Sequence, residues 1–580
     1  MKIKHFFGLA VIAAMTASCS SNEDLGTAGP GTGTNEAGVG YATFTINLPS
    51  VSGTRVADAG GAEMNEGTEE EYAVKSATAL IFQKYGSDEG SYKFVESVTL
   101  PIDGWTNDET DGITTTSKKL VAKLTNVDTK NDYSVLILLN NTKVALPTVG
   151  QSYNDWNSKN ILTLSATDWA GSDGFYMANA PLKGSAASPA TLVSIDKDKI
   201  YASETEANKP TNDCAATVFV ERGVAKMTVA DPGAITVKDK ATSADTKSEV
   251  TFSKWALDIT NKKTFAVHNI DGLKSDFGDI WKTDPSNRFI GTNNRVYWGK
   301  DPNYENDDLK LTDKDAERQA EFNFITATSE IDKDFGETNP VYCLENTFNL
   351  TNMYQGQTTR VIFKATYTPK DDGGNLLADD DDGTFYTIGN MTTILNTDKL
   401  KAAVNAVANP VLPTGYTIDY TNFKTKEGSH VITLADIKDA TGTVLVGATP
   451  YSIGTGTKTG DEIVADINTK LGLKAGRSEE MVGINTYLKG ATYYIARVKH
   501  FSSLTSQSGE PYGDNNDKYL GRYGMLRNNW YELKVGNVYG PGYPGVPPVD
   551  PTLPDDENEK YLSVSVKILS WAKRSYTVDL

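Results

Sequence analysis

Cysteine and histidine are scarce in this chain. Three cysteines and four histidines among 580 residues leave no zinc-type cysteine pair and no His-Glu-x-x-His helix. His5, His268, His430 and His500 are isolated, none followed by Glu, so they read as packing or surface residues and not as metal ligands. No G-x-S-x-G nucleophile elbow occurs, and no acid, base, nucleophile and orienting group can be assembled, so no enzyme, metal or cofactor is expected. Positive charge is also short: 56 basic against 75 acidic residues give a net charge of −19 and a pI near 4.8. That excludes the basic footprint that nucleic acid or an anionic membrane surface requires. No fixed-period repeat is present, which excludes a solenoid or propeller.

Glycine, tyrosine, threonine and valine are plentiful, a composition of strands and turns, and the expected fold class is mainly β. At the N-terminus, Lys2 and Lys4 precede an apolar stretch from Phe6 to Met15 and small residues before Cys19. This is an export signal and not a membrane span. Ala17 and Ser18 directly before Cys19 resemble the lipobox of bacterial lipoproteins, with Thr16 where Leu is usual, so Cys19 is the expected lipidation site. A Gly-rich polar stalk follows. Of the remaining cysteines, Cys214 and Cys343 could form one bridge or stay as two free thiols.

In "YATFTINLPS" Ala42, Phe44, Ile46 and Leu48 alternate with Tyr41, Thr43, Thr45 and Asn47, the period of a strand with one buried face. The acidic, Gly-rich run after it holds a single basic residue, Arg55, an open site for a protease. "YAVKSATALIFQ", "YKFVESVTL", "KLVAKL", "YSVLILLNN" and "CAATVFVERGVAKMTVA" read as further strands. A Pro-Gly break at 232–233 and a polar stretch to Ser248 suggest a boundary, followed by a second β-rich set running to "NNWYELKVGNVYG". Helical pattern occurs around "MTTILNTDKLKAAVNAVA" and "ADINTKLGL". Two β-sandwich-like domains in tandem result. The segments are a signal peptide over 1–18, a propeptide with a removable strand over 19–55, domains over 56–240 and 241–540, and a Pro-rich linker with donor strands over 541–580.

Three local patterns read as structure alone. Gly540, Gly542 and Gly545 spell G-x-G-x-x-G, but the surrounding prolines allow no helix to start there, so the stretch is a linker. "ADDDDGT" at 378–384 does not fit the EF-hand frame and reads, like "TEEEY" at 68–72, as solvated charge. Asn140, Asn349 and Asn390 open N-x-T sequons.

The chain ends in "LSVSVKILSWAKRSYTVDL". Leu562, Val564, Val566 and Ile568 form an apolar face that passes Trp571 and resumes at Tyr576, Val578 and Leu580. It follows a Pro-rich tether and has no hairpin partner beside it, so it is either a late addition to its own sheet or destined for another molecule. Its face matches that of the N-terminal strand. If the latter were cut away at Arg55, another copy's tail could fill the gap, which is donor-strand assembly.

The ending "SVSVKILSWAKRSYTVDL", with "RNNWYELKVGNVYGPG", "VERGVAKMTV" and "FSKWALDITNKKTF", resembles the Mfa-type fimbrillins of Bacteroidales, shaft subunits of type V pili. The resemblance implies transthyretin-like sandwiches, an outer-membrane lipoprotein precursor acylated at Cys19, and an Arg-specific surface protease cutting Arg55–Val56. It also implies a head-to-tail polymer of identical subunits with accessory anchor and tip pilins, serving adhesion and biofilm formation at the cell surface. The competing reading is a surface glycan-binding lipoprotein, with Trp105, Trp156, Trp169, Trp281 or Trp298 stacking on sugars.

Overall fold

The structure, a computed structural model, describes residues 38–49, 64–65, 67–103, 117–128, 130–183, 189–271, 289, 295–500, 519–556 and 562–571, with backbone alone for 64–65 and 562–571. Cys19, Arg55, Val56, Tyr576, Val578 and Leu580 lie outside the described residues. The strands that receive or hold the two ends of the chain are β1 (Gly40–Asn47), β2 (Met64–Asn65), β3 (Ser117–Leu124), β4 (Ala216–Arg222), β5 (Val224–Val229), β6 (Arg360–Thr368), β7 (Ala491–Arg497), β8 (Asn529–Val538) and β9 (Leu562–Trp571). The fold is mainly β.

β1 and β4 belong to a nine-stranded sheet that also contains Met177–Asn179, Tyr133–Leu139, Ala77–Gln83 and Lys93–Thr99, with β3 laid against β1. All seven residues of "YSVLILL" are buried, as a central strand covered on both faces demands. Phe44, Ile46 and Leu120 from one end of this sheet share a single core with Ile81, Phe82 and Leu136 from the other, so the sheet folds over on itself.

The chain leaves this sheet at Gly223, directly between β4 and β5. A Cβ there would stand 2.5 Å from Trp169 Cε3, and Trp169 is held by stacking on Tyr176 at 4.4 Å between centroids. Only glycine lets the backbone pass that ring. β5 then pairs in a second sheet, ordered β2-β9-β8-β5 and Val341–Leu344, which faces a four-stranded sheet of Ala234–Lys238, Asp245–Asp258, β6 and β7. Met227, Val229, Tyr531 and Leu533 meet Phe252, Phe363, Tyr494 and Ala496 between them, the packing of two sheets face to face. The polar stretch ending at Ser248 forms the Ala234–Lys238 hairpin of this unit.

β6 and β7 are adjacent, from Arg360↔Arg497 to Thr366↔Ala491, yet residues 369–490 intervene between them. This insertion has its own apolar cluster, including Leu400, Val404, Ile463, Ile467 and Ile484. It carries both expected helices, α1 (Thr397–Ala408) and α2 (Gly460–Leu471). Asn396 caps α1 through Lys399 N, while a Thr459–Glu462 capping box opens α2 and Gly472 in the left-handed region closes it. Shorter helices, such as Asp315–Glu321, occur elsewhere. Among the described residues no helix is long and apolar enough to cross a membrane.

Candidate strand-exchange site

Both edges of β1 are occupied. On one, it runs antiparallel to β3 over its whole length, from Gly40↔Leu124 to Asn47↔Ser117. On the other, Phe44 to Asn47 run parallel to Ala216–Phe219 of β4, and Tyr41 and Ala42 pair with Tyr201 and Ile200. Ala215 N donates to Thr43 O at 2.8 Å between those two stretches. Ala42, Phe44 and Ile46 are 0 % exposed and Leu48 4 %. The opposite face is closed at Thr43, also 0 % exposed, and half-open at Thr45 and Asn47. Burying Phe44, Ile46 and Leu48 is worth about 1.5–3 kcal/mol each, and both edges would lose ladder hydrogen bonds if β1 left.

One thiol lies beside this strand. Burial raises the pKa of Cys214, but hydrogen bonds involving Thr217 and then Thr45 outweigh it and leave the thiol below its ordinary range. Cys214 and Cys343 are both free.

β9 is held differently. It runs antiparallel to β8, from Asn529↔Ser570 through Tyr531↔Ile568 and Leu533↔Val566 to Val538↔Leu562. Among the described residues its other edge pairs with β2 alone, through Met64↔Ser570 and Asn65↔Trp571. The tail therefore does have a partner strand in its own chain, and Leu562, Val564, Val566 and Ile568 stand on the second sheet and not in the place of β1. The intervening residues concealed that partner from local pattern.

Nor is the Pro-rich stretch a free tether. Proline lacks an N–H but keeps its carbonyl, and the carbonyls of this strap are taken up by the second unit. Tyr494 Oη donates to Gly540 O and Tyr487 Oη to Gly542 O, both at 2.9 Å. Tyr493 and Tyr543 exchange backbone bonds of 2.9 and 2.7 Å. Arg360 donates to Pro547 O at 2.7 Å and Pro548 O at 3.1 Å, and Thr358 Oγ1 donates to Asp555 Oδ2 at 2.7 Å. A Cβ at Gly542 would stand 2.1 Å from Tyr493 O, which is why glycine is needed there.

Glu71 corrects the reading of "TEEEY" as solvated charge. Its carboxylate is 0 % exposed. Lys226 Nζ lies 2.7 Å away and Tyr342 Oη donates to it at 2.6 Å, while Arg222 Nε donates to its carbonyl at 2.7 Å. Lys226 also sits 3.5 Å above the Trp530 ring centroid. The chain just beyond the Arg55 run is thus pinned where the two units meet.

The remaining expected residues play packing or polar-network parts. His268 Nδ1 lies 2.9 Å from Glu221 Oε1, and Arg295 pairs with the other carboxylate oxygen. Burial opposes ionisation of Glu221, but Arg295 and His268 bring its pKa down to about 2. These side chains are 1–3 % exposed, closed to any substrate. Burial drops His500 to about 3, beside Tyr531 Oη at 2.7 Å. His430 is half-buried. Asn140 is buried, accepting from Lys75 N and donating to Ala73 O and Phe175 O, so its sequon is taken up inside the fold. Asp379, Asp381 and Asp382 bring carboxylates within 4.8 Å of one another, but Asp379 is engaged by Thr397 N at 2.8 Å. Trp156, Trp169 and Trp298 are each 1 % exposed and offer no sugar platform. Trp105 and Trp281 lie outside the described residues.

Residues 485–577, which include β7, β8, the strap and β9, match the family described as major fimbrial subunit protein type IV, fimbrillin, C-terminal. The C-terminal part of the chain is therefore fimbrillin-like. Two solved structures of candidate cell adhesion proteins from Parabacteroides distasonis are similar at 10 % identity and a TM-score of 0.36, covering 92 % of this chain and 97 % and 99 % of theirs. No curated protein matches the chain in sequence.

Proposed function

We propose that this protein is a shaft subunit of a cell-surface pilus, of the Mfa type, that polymerises by exchange of strands between copies. Its precursor is an exported lipoprotein acylated at Cys19. An Arg-specific protease at the surface cuts Arg55–Val56, and β1 departs together with the lipid anchor. The exposed slot between β3 and β4 then takes the 562–580 tail of a neighbour, giving a head-to-tail polymer of identical subunits completed by anchor and tip pilins and serving adhesion and biofilm formation.

The observation that carries this reading is the contrast between the two end strands. β1 is paired along both edges and sealed in the core, yet the Arg55 run lies between it and the rest of the chain. Among the described residues β9 is paired along its length on one edge and at two positions on the other, the place in a sheet from which a strand can be exchanged. A fimbrillin C-terminal match over that same part of the chain agrees with it.

The test is to treat the purified precursor with an Arg-specific protease and follow it by size exclusion and non-boiled gel electrophoresis. Arg55→Ala and a truncation ending at Lys560 serve as controls. A heat-labile ladder from wild type alone is expected; monomers in all three after cutting would reject strand exchange.

A further inference from the structure

The walls of the β1 slot select one register for an incoming tail. Positions 42, 44 and 46 admit only enclosed apolar groups, and position 43 is sealed as well, all 0 % exposed. Thr43 Oγ1 has no hydrogen-bond partner among the described residues, so the enclosed position takes a small side chain and offers nothing to a charged or longer polar one. Position 45 is half-open and faces Lys119 on β3 and Thr217 on β4, while position 47 faces Ser117 and Phe219. A charged donor residue is therefore tolerated at 47, but a cation at 45 would stand directly across from Lys119.

Resting on the strand-exchange reading, we propose that the tail of a second copy enters in the direction of β1 with Leu562 in the place of Ala42, Val564 in that of Phe44, Val566 in that of Ile46 and Ile568 in that of Leu48. Ser563 and Ser565 then replace Thr43 and Thr45, hydroxyl for hydroxyl, and Lys567 falls at the half-open position of Asn47. Leu for Ala adds bulk next to where Val for Phe removes it, so the core face is refilled with little net change.

The other registers each break a rule that this slot enforces. Sliding the tail two residues so that Lys560 meets position 42 buries that ammonium and forces Tyr561 into the sealed position 43. Sliding it the other way, with Val564 at 42, sets Lys567 against Lys119 and Ser570 in the place of Leu48. A slip of one residue turns Ser563 and Ser565 to the core and drives Lys567 inward. The last segment, entered with Tyr576 at position 42, buries a phenolic hydroxyl at an enclosed apolar position and ends at Leu580 before positions 47 and 48 are filled. Lys119 and the closed Thr43 position are thus the specificity-determining features of the slot.

The test is disulfide trapping in the full-length chain carrying Cys214→Ser; Cys19 leaves with the cut segment. Thr217→Cys, which also faces position 45, is combined in turn with Ser565→Cys, Ser563→Cys and Asp579→Cys, so that Lys119 and Lys567 both stay. Thr217 is exposed, so its change leaves the core intact. After cutting and mild oxidation, the Ser565→Cys chain is expected to give a covalent multimer ladder on non-reducing denaturing gels, and the other two none. A ladder from Ser563→Cys or Asp579→Cys instead overturns the register while strand exchange stands. A heat-labile polymer that none of the three traps overturns the register and the proposed direction as well. Absence of any polymer from the cut wild type rejects strand exchange, and the register with it.

Discussion

Burial of charge without water demands a partner, and at the residue scale Glu71 depends on Lys226 for that compensation. Lys226→Met keeps the apolar stem but removes the ammonium paired with the Glu71 carboxylate in a closed site, leaving Tyr342 and the nearby Arg222 to hold it. Losing one member of a buried pair typically costs about 3–5 kcal/mol, and urea unfolding should show a fall of that size. Glu221 makes a second prediction through pH. Its pKa falls from an ordinary 4.5 to about 2 in the folded state, so the unfolded chain binds the extra proton between those values. The stability it contributes is fully present above about 4.5 and disappears as pH falls toward 2. The melting-temperature gap between wild type and Glu221→Gln should therefore close across that window; a constant gap would deny the linkage. Neither residue was legible as buried in the sequence. Glu71 sits in a run of acids whose local statistics point to solvent, and Lys226, which holds it, lies on a distant strand.

At the element scale the two end strands differ in what a probe would see. Cys214 hydrogen-bonds beside Thr45 of β1 and is half-buried, so its alkylation should accelerate when the Arg55 cut lets β1 go and slow again once a donor fills the slot. Thiol labelling followed by mass spectrometry reads both steps, with Cys343, buried and raised by that burial to about 12, as the silent internal control. The strap gives another measurement. Gly542→Ala places a methyl against Tyr493 O and should speed hydrogen exchange over 540–556 while leaving β3 and β4 protected. The face of β1 was legible because alternation is local, and the helices because their 3.6-residue period runs over three turns. The partner of β9 and the docking of the strap were not, since each depends on contacts with distant β6, β7 and β8 that no local pattern records.

At the scale of the whole molecule, the insertion between β6 and β7 is the feature that sequence least betrays. Its strands carry the same composition as those around them, so a single β-rich domain over 241–540 is the natural reading, and only the pairing of Thr366 with Ala491 reveals that 369–490 leaves and returns at one point of a sheet. A unit with its own core and closely spaced ends can be excised. Replacing 369–490 by a short turn should leave a chain that still folds cooperatively. Phe385 and Tyr487, stacked at 4.3 Å and packed on the second core, set the cost at about 3–5 kcal/mol each for lost aromatic burial, and the strap loses its Tyr487 anchor at Gly542 O with them. Thermal unfolding of the excised chain beside wild type measures that loss, and failure to fold would show the insertion to be integral to the sheets.

The strap also determines where tension would travel. Its anchors run from Tyr494 and Tyr487 through Arg360 to Thr358, and the last of them holds Asp555, only a few residues before β9. A pull on the tail of one subunit would enter the next chain along the strand axis in shear, loading every rung of the ladder together. At the other end it would pass through Asp555 and Arg360 into β6 and its buried ion pair with Asp258, without first drawing out a long slack loop. Filaments joined in this way would resist extension until a subunit ruptures, and the stiffness would reside in a row of carbonyls that proline leaves free to accept.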